Sequence, residues 1–141
     1  IKVTSLDCTR FLFTLTDAVD TVINSLFRAE GGEVFIPKIN SFKIRTIIEA
    51  IKKMNKVKKV ECEIIGMRPG EKIHEDMLAE TELLFTKQLS NSLLCVLPQY
   101  TNKVHTHDKK YLGKKFNSSL HINEDIDFLA SLIKRGIGDS E

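Results

Sequence analysis

The fold and the function are both indicated by one stretch of the sequence, Ile64-Ile65-Gly66-Met67-Arg68-Pro69-Gly70-Glu71-Lys72-Ile73-His74-Glu75. Its apolar beginning predicts a buried strand, and the polar residues at its end have helical composition. Between them, Gly-x-Arg-Pro-Gly-Glu predicts a turn. The turn would place Arg68 and Glu71 side by side at the end of a strand, which is where open α/β proteins bind ligands.

The side chains of this turn suit a nucleotide sugar. A guanidinium group can bind phosphate oxygens two at a time, and a carboxylate can accept hydrogen bonds from sugar hydroxyls. Arg68 and Glu71 together therefore indicate a nucleotide-sugar contact. Taken alone, the motif leaves an alternative open, which is a tight surface turn that carries an ion pair.

The composition predicts one globular domain and excludes two kinds of partner. The chain has 141 residues, of which 42% are hydrophobic and 28% are charged, and this length suits a single domain of ordinary size. The net charge of +2 is too small to indicate a nucleic-acid partner. No segment approaches the roughly 18 consecutive apolar residues that a membrane span needs, so we expect no membrane partner.

The cysteines and histidines indicate no metal centre. Cys8, Cys62 and Cys95 are widely spaced, and the last two lie in apolar runs where a free cysteine behaves as a small hydrophobic residue. This pattern predicts a reducing, cytoplasmic setting. His105 and His107 have no further ligands at metal-like spacing, which favours an exposed polar loop over a metal site.

Hydrophobic periodicity predicts four helices. The first is expected to begin at Thr16 as its N-cap and to end at Gly31-Gly32. The others are expected over residues 44–54, over residues 74–80 and after an N-cap at Asn123. Their predicted inward-facing residues are Ala18, Val19, Val22, Ile23, Leu26 and Phe27; Ile44, Ile47, Ile48, Ile51 and Met54; Met77 and Leu78; and Phe128, Leu129, Leu132 and Ile133.

Short runs of aromatic and branched residues predict the strands. These strands are expected at residues 11–14, 33–36, 61–65 and 93–97. Residues 40–43 are expected to connect two elements, residues 83–89 receive no assignment, and residues 99–119 are expected to form a polar loop. The alternation of strands and helices along the chain predicts the α/β class.

Two motifs of dinucleotide-dependent enzymes are absent from the predicted elements. No Gly-x-x-Gly-x-x-Gly follows a first strand. Tyr111 and Lys115 have the spacing of a Tyr-x-x-x-Lys pair, but they lie in a predicted loop, whereas that pair needs a helix to share one face. We therefore assign no catalytic, cofactor-binding or metal-binding residue within this chain.

Three segments resemble the polysaccharide-biosynthesis dehydratases, which are extended short-chain dehydrogenases that act on UDP-N-acetylglucosamine. Residues 8–19 are similar to that family's Met-Thr-Arg-Phe…Thr…Glu-Ala-Val. Residues 32–44 are similar to its Gly-Glu-Ile-Phe-Val-Pro-Lys-Ile-Pro-Ser-Met-Lys-Ile, and residues 65–75 to its Ile-Gly-Ile-Arg-Pro-Gly-Glu-Lys-Leu-His-Glu. Further along, Phe116-Asn117-Ser118 resembles the Tyr-Asn-Ser of the capsule-type enzymes, which couple 4,6-dehydration to inversion at C5.

The resemblance implies roles for named residues and an additional part of the protein. Arg10 and Arg68 would contact the UDP diphosphate, and Glu71 would bind the uridine ribose. NADP and the catalytic Tyr and Lys would belong to an N-terminal Rossmann-like half that this chain lacks. Residues 1–98 would be the nucleotide-sugar-binding region of an extended short-chain dehydrogenase, and residues 99–141 a C-terminal extension with a terminal helix.

The resemblance also predicts how the chain behaves by itself. The strand at residues 33–36 would belong to a large parallel sheet of the missing half, so its edge and apolar faces would be open. We therefore expect a catalytically inactive fragment that associates into a homo-oligomer. Two other functions stay open: part of another UDP-sugar epimerase or reductase, and a non-catalytic remnant that acts as an oligomerisation module.

Overall fold

The structure, a computed structural model, describes residues 1–56, 58–99 and 110–138. Helices and strands are mixed along the chain, in agreement with the predicted α/β class. The helices are α1 (Leu15–Leu26), α2 (Ile44–Met54) and α3 (Ile126–Gly138), with a short 3₁₀ helix over Glu80–Phe85. The strands are β1 (Lys2–Val3), β2 (Thr9–Phe11), β3 (Val34–Pro37), β4 (Ser41–Lys43), β5 (Glu63–Ile64), β6 (Asp76–Leu78), β7 (Thr86–Gln88), β8 (Leu93–Val96) and β9 (Phe116–Asn117).

The described strands form small separate sheets. β1 pairs in parallel with β5, whereas β2 with β4 and β6 with β9 are antiparallel pairs. The largest sheet has the order β3-β8-β7 and is antiparallel throughout. The resemblance places β3 in a large parallel sheet, whereas its neighbour in the described part of the chain is the antiparallel strand β8. In that pair Phe35 lies opposite Cys95.

Residues 40–43 are not the simple connector that the sequence predicts, because most of them form β4. This strand pairs along its length with β2, and Phe42 lies opposite Arg10. Phe42 is fully buried and belongs to a core cluster with residues of α2 and α3. A three-residue strand is too short to show an alternating pattern, so pairing with a distant strand decides its conformation.

The helix predicted over residues 74–80 is also wrong, because this segment contains β6. Leu78 pairs with Phe116 of β9, and both side chains are buried in the same cluster. The inward direction predicted for Met77 and Leu78 is confirmed, since Leu78 is fully buried and Met77 packs against that cluster. Helical composition is a weak preference that a tertiary strand partner overrides.

The helix ends differ from the predicted ones. α1 begins after Thr14, whose hydroxyl accepts the Asp17 backbone N–H at 3.1 Å while the Asp17 carboxylate accepts the Thr14 N–H at 3.1 Å. This reciprocal capping box makes Thr14 the N-cap instead of Thr16. Asp125 rather than Asn123 caps α3, because its carboxylate accepts the Phe128 N–H at 2.9 Å.

Two buried clusters form the core. The first joins the three-stranded sheet to β6 and β9, and contains Ile36, Leu78, Leu94, Val96, Tyr111 and Phe116. The second joins β4, α2 and α3, and contains Phe42, Ala50, Leu129, Ala130 and Leu132. Of the predicted stripe of α2, Ile48 is buried, while Ile47 and Met54 pack against the second cluster. Both clusters combine residues from the two sides of the predicted boundary at residue 98.

The face that α1 turns toward the rest of the chain is the polar one, which is opposite to the prediction. None of its residues is buried, and all of its predicted inward-facing residues except the half-buried Ala18 are exposed, with Val22 67% exposed and Leu26 72% exposed. Its polar residues Asp17, Asp20 and Asn24 instead line a cavity of about 510 Å³ against the rest of the chain. The helix is amphipathic as predicted, but its apolar face has no cover among the described residues.

Two further expectations of burial are wrong. Ile64 and Ile65, at the predicted buried strand, are 62% and 42% exposed. Cys62 is exposed, whereas Cys8 and Cys95 are buried free thiols. Burial raises the pKa of the Cys95 thiol to about 11.

In the part of the chain that the structure describes, no helix has the length and apolar character required to cross a membrane.

Candidate functional site

Arg10, Arg68 and Glu71, the residues to which the resemblance gives a substrate role, line one cavity of about 250 Å³. They reach it from different elements, because Arg10 lies on β2 whereas Arg68 and Glu71 lie in the turn after β5. Lys2 on β1 and Thr4 directly after this strand complete the polar part of its wall. The structure thus brings together the guanidinium groups and the carboxylate that the sequence separates.

Strand pairing and glycine place the turn. β1 and β5 pair in parallel, and the Ile65 N–H donates to the Val3 carbonyl at 2.9 Å. Gly66 and Gly70 then have φ angles of +79° and +80°, a region that other residues rarely adopt. The Glu71 N–H donates to the Arg68 carbonyl at 3.0 Å and closes the turn.

The carboxylate of Glu71 is held by three groups. The Thr4 hydroxyl donates to one oxygen at 2.8 Å, the Arg68 backbone N–H donates to the other at 3.2 Å, and Arg10 Nη2 lies 3.5 Å away. The Thr4 hydroxyl is the largest cause that holds the pKa of Glu71 below its ordinary value of 4.5, followed by the Arg68 N–H. The charges of Arg10 and Arg68 act in the same direction. The group is therefore ionised at neutral pH.

Arg10 has several partners within the chain. Its Nη1 donates to the Thr9 carbonyl at 2.8 Å and to the Ile73 carbonyl at 3.3 Å. Its Nε lies 3.5 Å from a carboxylate oxygen of Glu75, and its Nη2 faces Glu71. Most of its five N–H groups are thus directed at the segment between Glu71 and Glu75.

Arg68 is arranged differently. Its backbone closes the turn, but its exposed guanidinium makes no hydrogen bond or ion pair with another described residue. No described residue therefore uses the N–H donors of its guanidinium. The resemblance implies the same role for the two arginines, whereas in the structure Arg10 is paired and Arg68 is open among the described residues.

Sequence reasoning missed Thr4 and Glu75. Thr4 lies 67 positions before its partner Glu71, and a lone threonine after a short strand carries no pattern that identifies it. Glu75 is the last residue of the motif over residues 64–75, so its presence in the same short segment as Glu71 is the signal that could have identified it. The pairing of both carboxylates with one arginine needs the tertiary structure.

The other candidates lie elsewhere. Tyr111 is buried in the first cluster and donates its hydroxyl to the Lys114 carbonyl at 3.1 Å, and neither Tyr111 nor Lys115 lies in a helix. Over residues 1–56, 58–99 and 110–138, no group of three or more His, Cys, Asp or Glu residues is placed to hold a metal ion. His105 and His107 lie outside the described residues.

The fold is shared with a solved structure, and the sequence with several curated proteins. Pen from Bacillus thuringiensis superposes with a TM-score of 0.79 at 26% identity, over 96% of this chain and 41% of that chain. An uncharacterised membrane protein of Methanocaldococcus jannaschii is 33% identical over 128 residues, which cover 82% of this chain and 38% of that protein.

Two further relatives are named as enzymes. A UDP-N-acetylglucosamine 4,6-dehydratase (inverting) of Campylobacter jejuni is 36% identical over 91 residues, 64% of this chain and 26% of that protein. A UDP-glucose 4-epimerase of Rickettsia rickettsii is 30% identical over 83 residues, 59% of this chain and 24% of that protein. The chain thus spans well under half of the length of the curated relatives it matches. Residues 1–96, more than half of the chain, match the family described as polysaccharide biosynthesis protein, and the chain belongs to that family.

Proposed function

We propose that this chain is the nucleotide-sugar-binding part of a UDP-N-acetylglucosamine 4,6-dehydratase. The observation that carries the proposal is the meeting of Arg10, Arg68 and Glu71 at one cavity. These are the same residues that the motif resemblance assigns to the substrate. The Campylobacter jejuni relative, which is named for this activity, supports the choice of reaction.

The three side chains would bind different parts of UDP: the positively charged arginines the diphosphate, and the negatively charged Glu71 the ribose. The open guanidinium of Arg68 donates to the diphosphate in a bidentate manner. Arg10 adds positive charge beside it and orients Glu71. The ionised carboxylate of Glu71 has room for further acceptor contacts, because a carboxylate offers about four lone-pair sites. The ribose hydroxyl groups donate hydrogen bonds to those sites.

The reaction of the parent protein would need an additional part of the chain. The relatives are much longer than the matched region, and the uncovered apolar face of α1 gives a further part a surface to pack on. NADP would bind to that part, because the described residues do not fit a dinucleotide: Gly31-Gly32 follow a helix rather than a strand. We therefore derive no catalytic step from this chain, and expect it to be inactive alone.

Within that parent enzyme, the chain would bind and orient the nucleotide while the other part carries out elimination of water across C5 and C6. The weaker likeness at Phe116-Asn117-Ser118 supports the subgroup that inverts C5. Residues 1–98 would form the binding region, and residues 99–141 the extension. We place the parent protein in the cytoplasm as a homo-oligomer, in biosynthesis of capsule, O-antigen or other glycan sugars.

Two alternatives have their own support. The Rickettsia rickettsii relative, named a UDP-glucose 4-epimerase, supports another UDP-sugar epimerase or reductase. The exposed apolar face of α1 supports a non-catalytic oligomerisation module.

Incubation of the full-length protein with UDP-N-acetylglucosamine and NADP distinguishes these functions. A new C6 methyl signal in the proton NMR spectrum is expected for the dehydratase. Conversion of UDP-glucose to UDP-galactose without such a signal would identify the epimerase. A protein that turns over neither sugar and does not bind UDP, but forms a defined oligomer, would identify the module.

A further inference from the structure

Ser118 holds the segment from Glu71 to Glu75 through two hydrogen bonds to Glu75, and this pair of bonds is the clasp. The Ser118 backbone N–H donates to the Glu75 carbonyl at 2.8 Å, and the Glu75 N–H donates to the Ser118 hydroxyl at 2.8 Å. Ser118 is fully buried. Next to this clasp, the Asn117 amide donates to the Asp76 carboxylate at 2.7 Å.

Thr9 connects the clasp to β2 and therefore to Arg10. Its hydroxyl lies 2.6 Å from the Ser118 hydroxyl and 2.8 Å from Nδ1 of His74, and Thr9 is fully buried. When His74 Nδ1 accepts, the donors run in one direction, from the Glu75 N–H through Ser118 and Thr9 to His74. The Thr9 N–H also donates to the Ile73 carbonyl at 2.9 Å.

We propose that Ser118 and Thr9 are positioning residues for nucleotide-sugar binding, an inference that rests on the proposed function. Neither residue lines the cavity that contains Arg10, Arg68 and Glu71. They act through the segment from Glu71 to Glu75. This segment is held on one side by the clasp and on the other by Arg10, which pairs with both of its terminal carboxylates.

The physical basis is the cost of leaving the partly buried N–H of Glu75 without an acceptor. Without the Ser118 hydroxyl, the Glu75 N–H has no acceptor next to fully buried groups, and the segment must move to regain one. Movement of Glu75 also displaces Glu71, because the two carboxylates share Arg10. The C-terminal extension thereby sets the geometry of a site to which it contributes no lining residue.

Two pairs of variants separate positioning from packing. Ser118→Ala removes the hydroxyl of the clasp. Ser119→Ala is its control, since among the described residues the Ser119 hydroxyl bonds to Asn117 alone, within its own turn. Thr9→Val removes a hydroxyl and keeps the volume, whereas Thr9→Ser keeps the hydroxyl and removes a methyl group. Amide hydrogen exchange of residues 71–76 and the affinity for UDP are measured in the intact protein.

We expect Ser118→Ala and Thr9→Val each to speed exchange at Glu75 and to weaken UDP binding, both by roughly fivefold. Ser119→Ala and Thr9→Ser should change either quantity by less than about twofold. Unaltered exchange at Glu75 in Ser118→Ala would overturn the proposal. So would a greater reduction of UDP affinity in Thr9→Ser than in Thr9→Val, because packing would then be the cause.

The exchange measurement tests the positioning role of Ser118 and Thr9 independently of the proposed function. If the wild-type protein does not bind UDP, the proposed function fails, and exchange at Glu75 still decides whether Ser118 and Thr9 hold the segment. If Ser118→Ala reduces protection throughout the chain, the comparison of Thr9→Val with Thr9→Ser decides alone.

Discussion

The guanidinium of Arg10 lies 3.5 Å from the carboxylate of Glu71, although the two residues are 61 positions apart in the sequence. Both side chains are only about one-quarter exposed, at 25% and 23%. The pair therefore belongs to the wall of the cavity rather than to the open surface. It links β2 to the turn after β5, so a ligand that binds one of these groups also acts on the other.

Arg68→Ala should weaken UDP binding more than any other single arginine substitution outside β2. Removal of a charge-assisted hydrogen bond from the bound state costs about 1.5–3 kcal/mol, which is roughly tenfold to a hundredfold in affinity. Titration calorimetry with UDP on the full-length protein measures this. Arg28→Ala is the control, because Arg28 is exposed and does not line this cavity. Unchanged affinity in Arg68→Ala would refute the role of Arg68.

UDP binding should depend on the ionisation of Glu71. The pKa of Glu71 is lowered in the folded protein, so its contribution to stability is present above the ordinary value of 4.5 and is lost as pH falls through the lower folded value. Thr4→Val removes the largest cause of the shift, so the pKa of Glu71 in the folded protein should rise. Glu71 should then lose its charge, and UDP binding should weaken, at a higher pH than in the wild type. An NMR titration of the Glu71 carboxyl carbon tests this, and an unshifted titration in Thr4→Val would contradict it.

Glu71→Gln tests whether UDP binding needs the charge of Glu71, because it keeps the shape of the side chain and removes its charge. UDP affinity in this variant should fall by roughly tenfold and should lack the acid-dependent component that the wild type shows. A variant that retains wild-type affinity would exclude Glu71 from ribose recognition.

The apolar face of α1 should drive self-association of the chain when it is expressed alone. Val22→Lys with Leu26→Lys should weaken that association by on the order of tenfold or more, because each buried aliphatic side chain contributes about 1.5–3 kcal/mol. Light scattering after size-exclusion chromatography measures the mass. Leu84→Lys is a matched control, since Leu84 is 76% exposed but lies in the 3₁₀ helix. A monodisperse wild-type monomer would count against this surface.

Gly66→Ala should destabilise the protein by about 1–2 kcal/mol, because its φ of +79° is unfavourable for a residue with a Cβ. No atom lies within 4 Å of the added Cβ, so backbone conformation is the only cost. Gly138→Ala also meets no atom within 4 Å, but Gly138 lies in α3 and needs no positive φ. Thermal unfolding should distinguish the two variants, and equal melting temperatures would show that the turn tolerates a side chain.

Elements with strong local patterns were predictable from the sequence. α2 has the predicted bounds, and β3 and β8 lie where branched and aromatic runs predict them. Both misassigned strands have a distant partner: β4 depends on β2, and β6 depends on β9. The orientation of α1 could not be predicted, because amphipathicity identifies an apolar face and does not say which surface covers it.

The sequence named three residues of the candidate site, but not the contacts between them. Motif resemblance identified Arg10, Arg68 and Glu71, and the structure places them at one cavity. It could not show that Arg10 is engaged by Glu71 and Glu75, nor that Thr4 holds the Glu71 carboxylate. Those contacts join residues more than 60 positions apart, which no local pattern encodes.

The hydroxyl contact between Thr9 and Ser118 spans 109 positions of the sequence, and this separation has a consequence for biosynthesis. A ribosome must release residue 118 before the Glu71–Glu75 segment can acquire its final support. Contacts of such long range also slow folding, because the intervening chain must first be ordered. Nascent chains that stop short of Ser118 should therefore lack affinity for UDP even after β2 and the arginine-bearing turn have emerged.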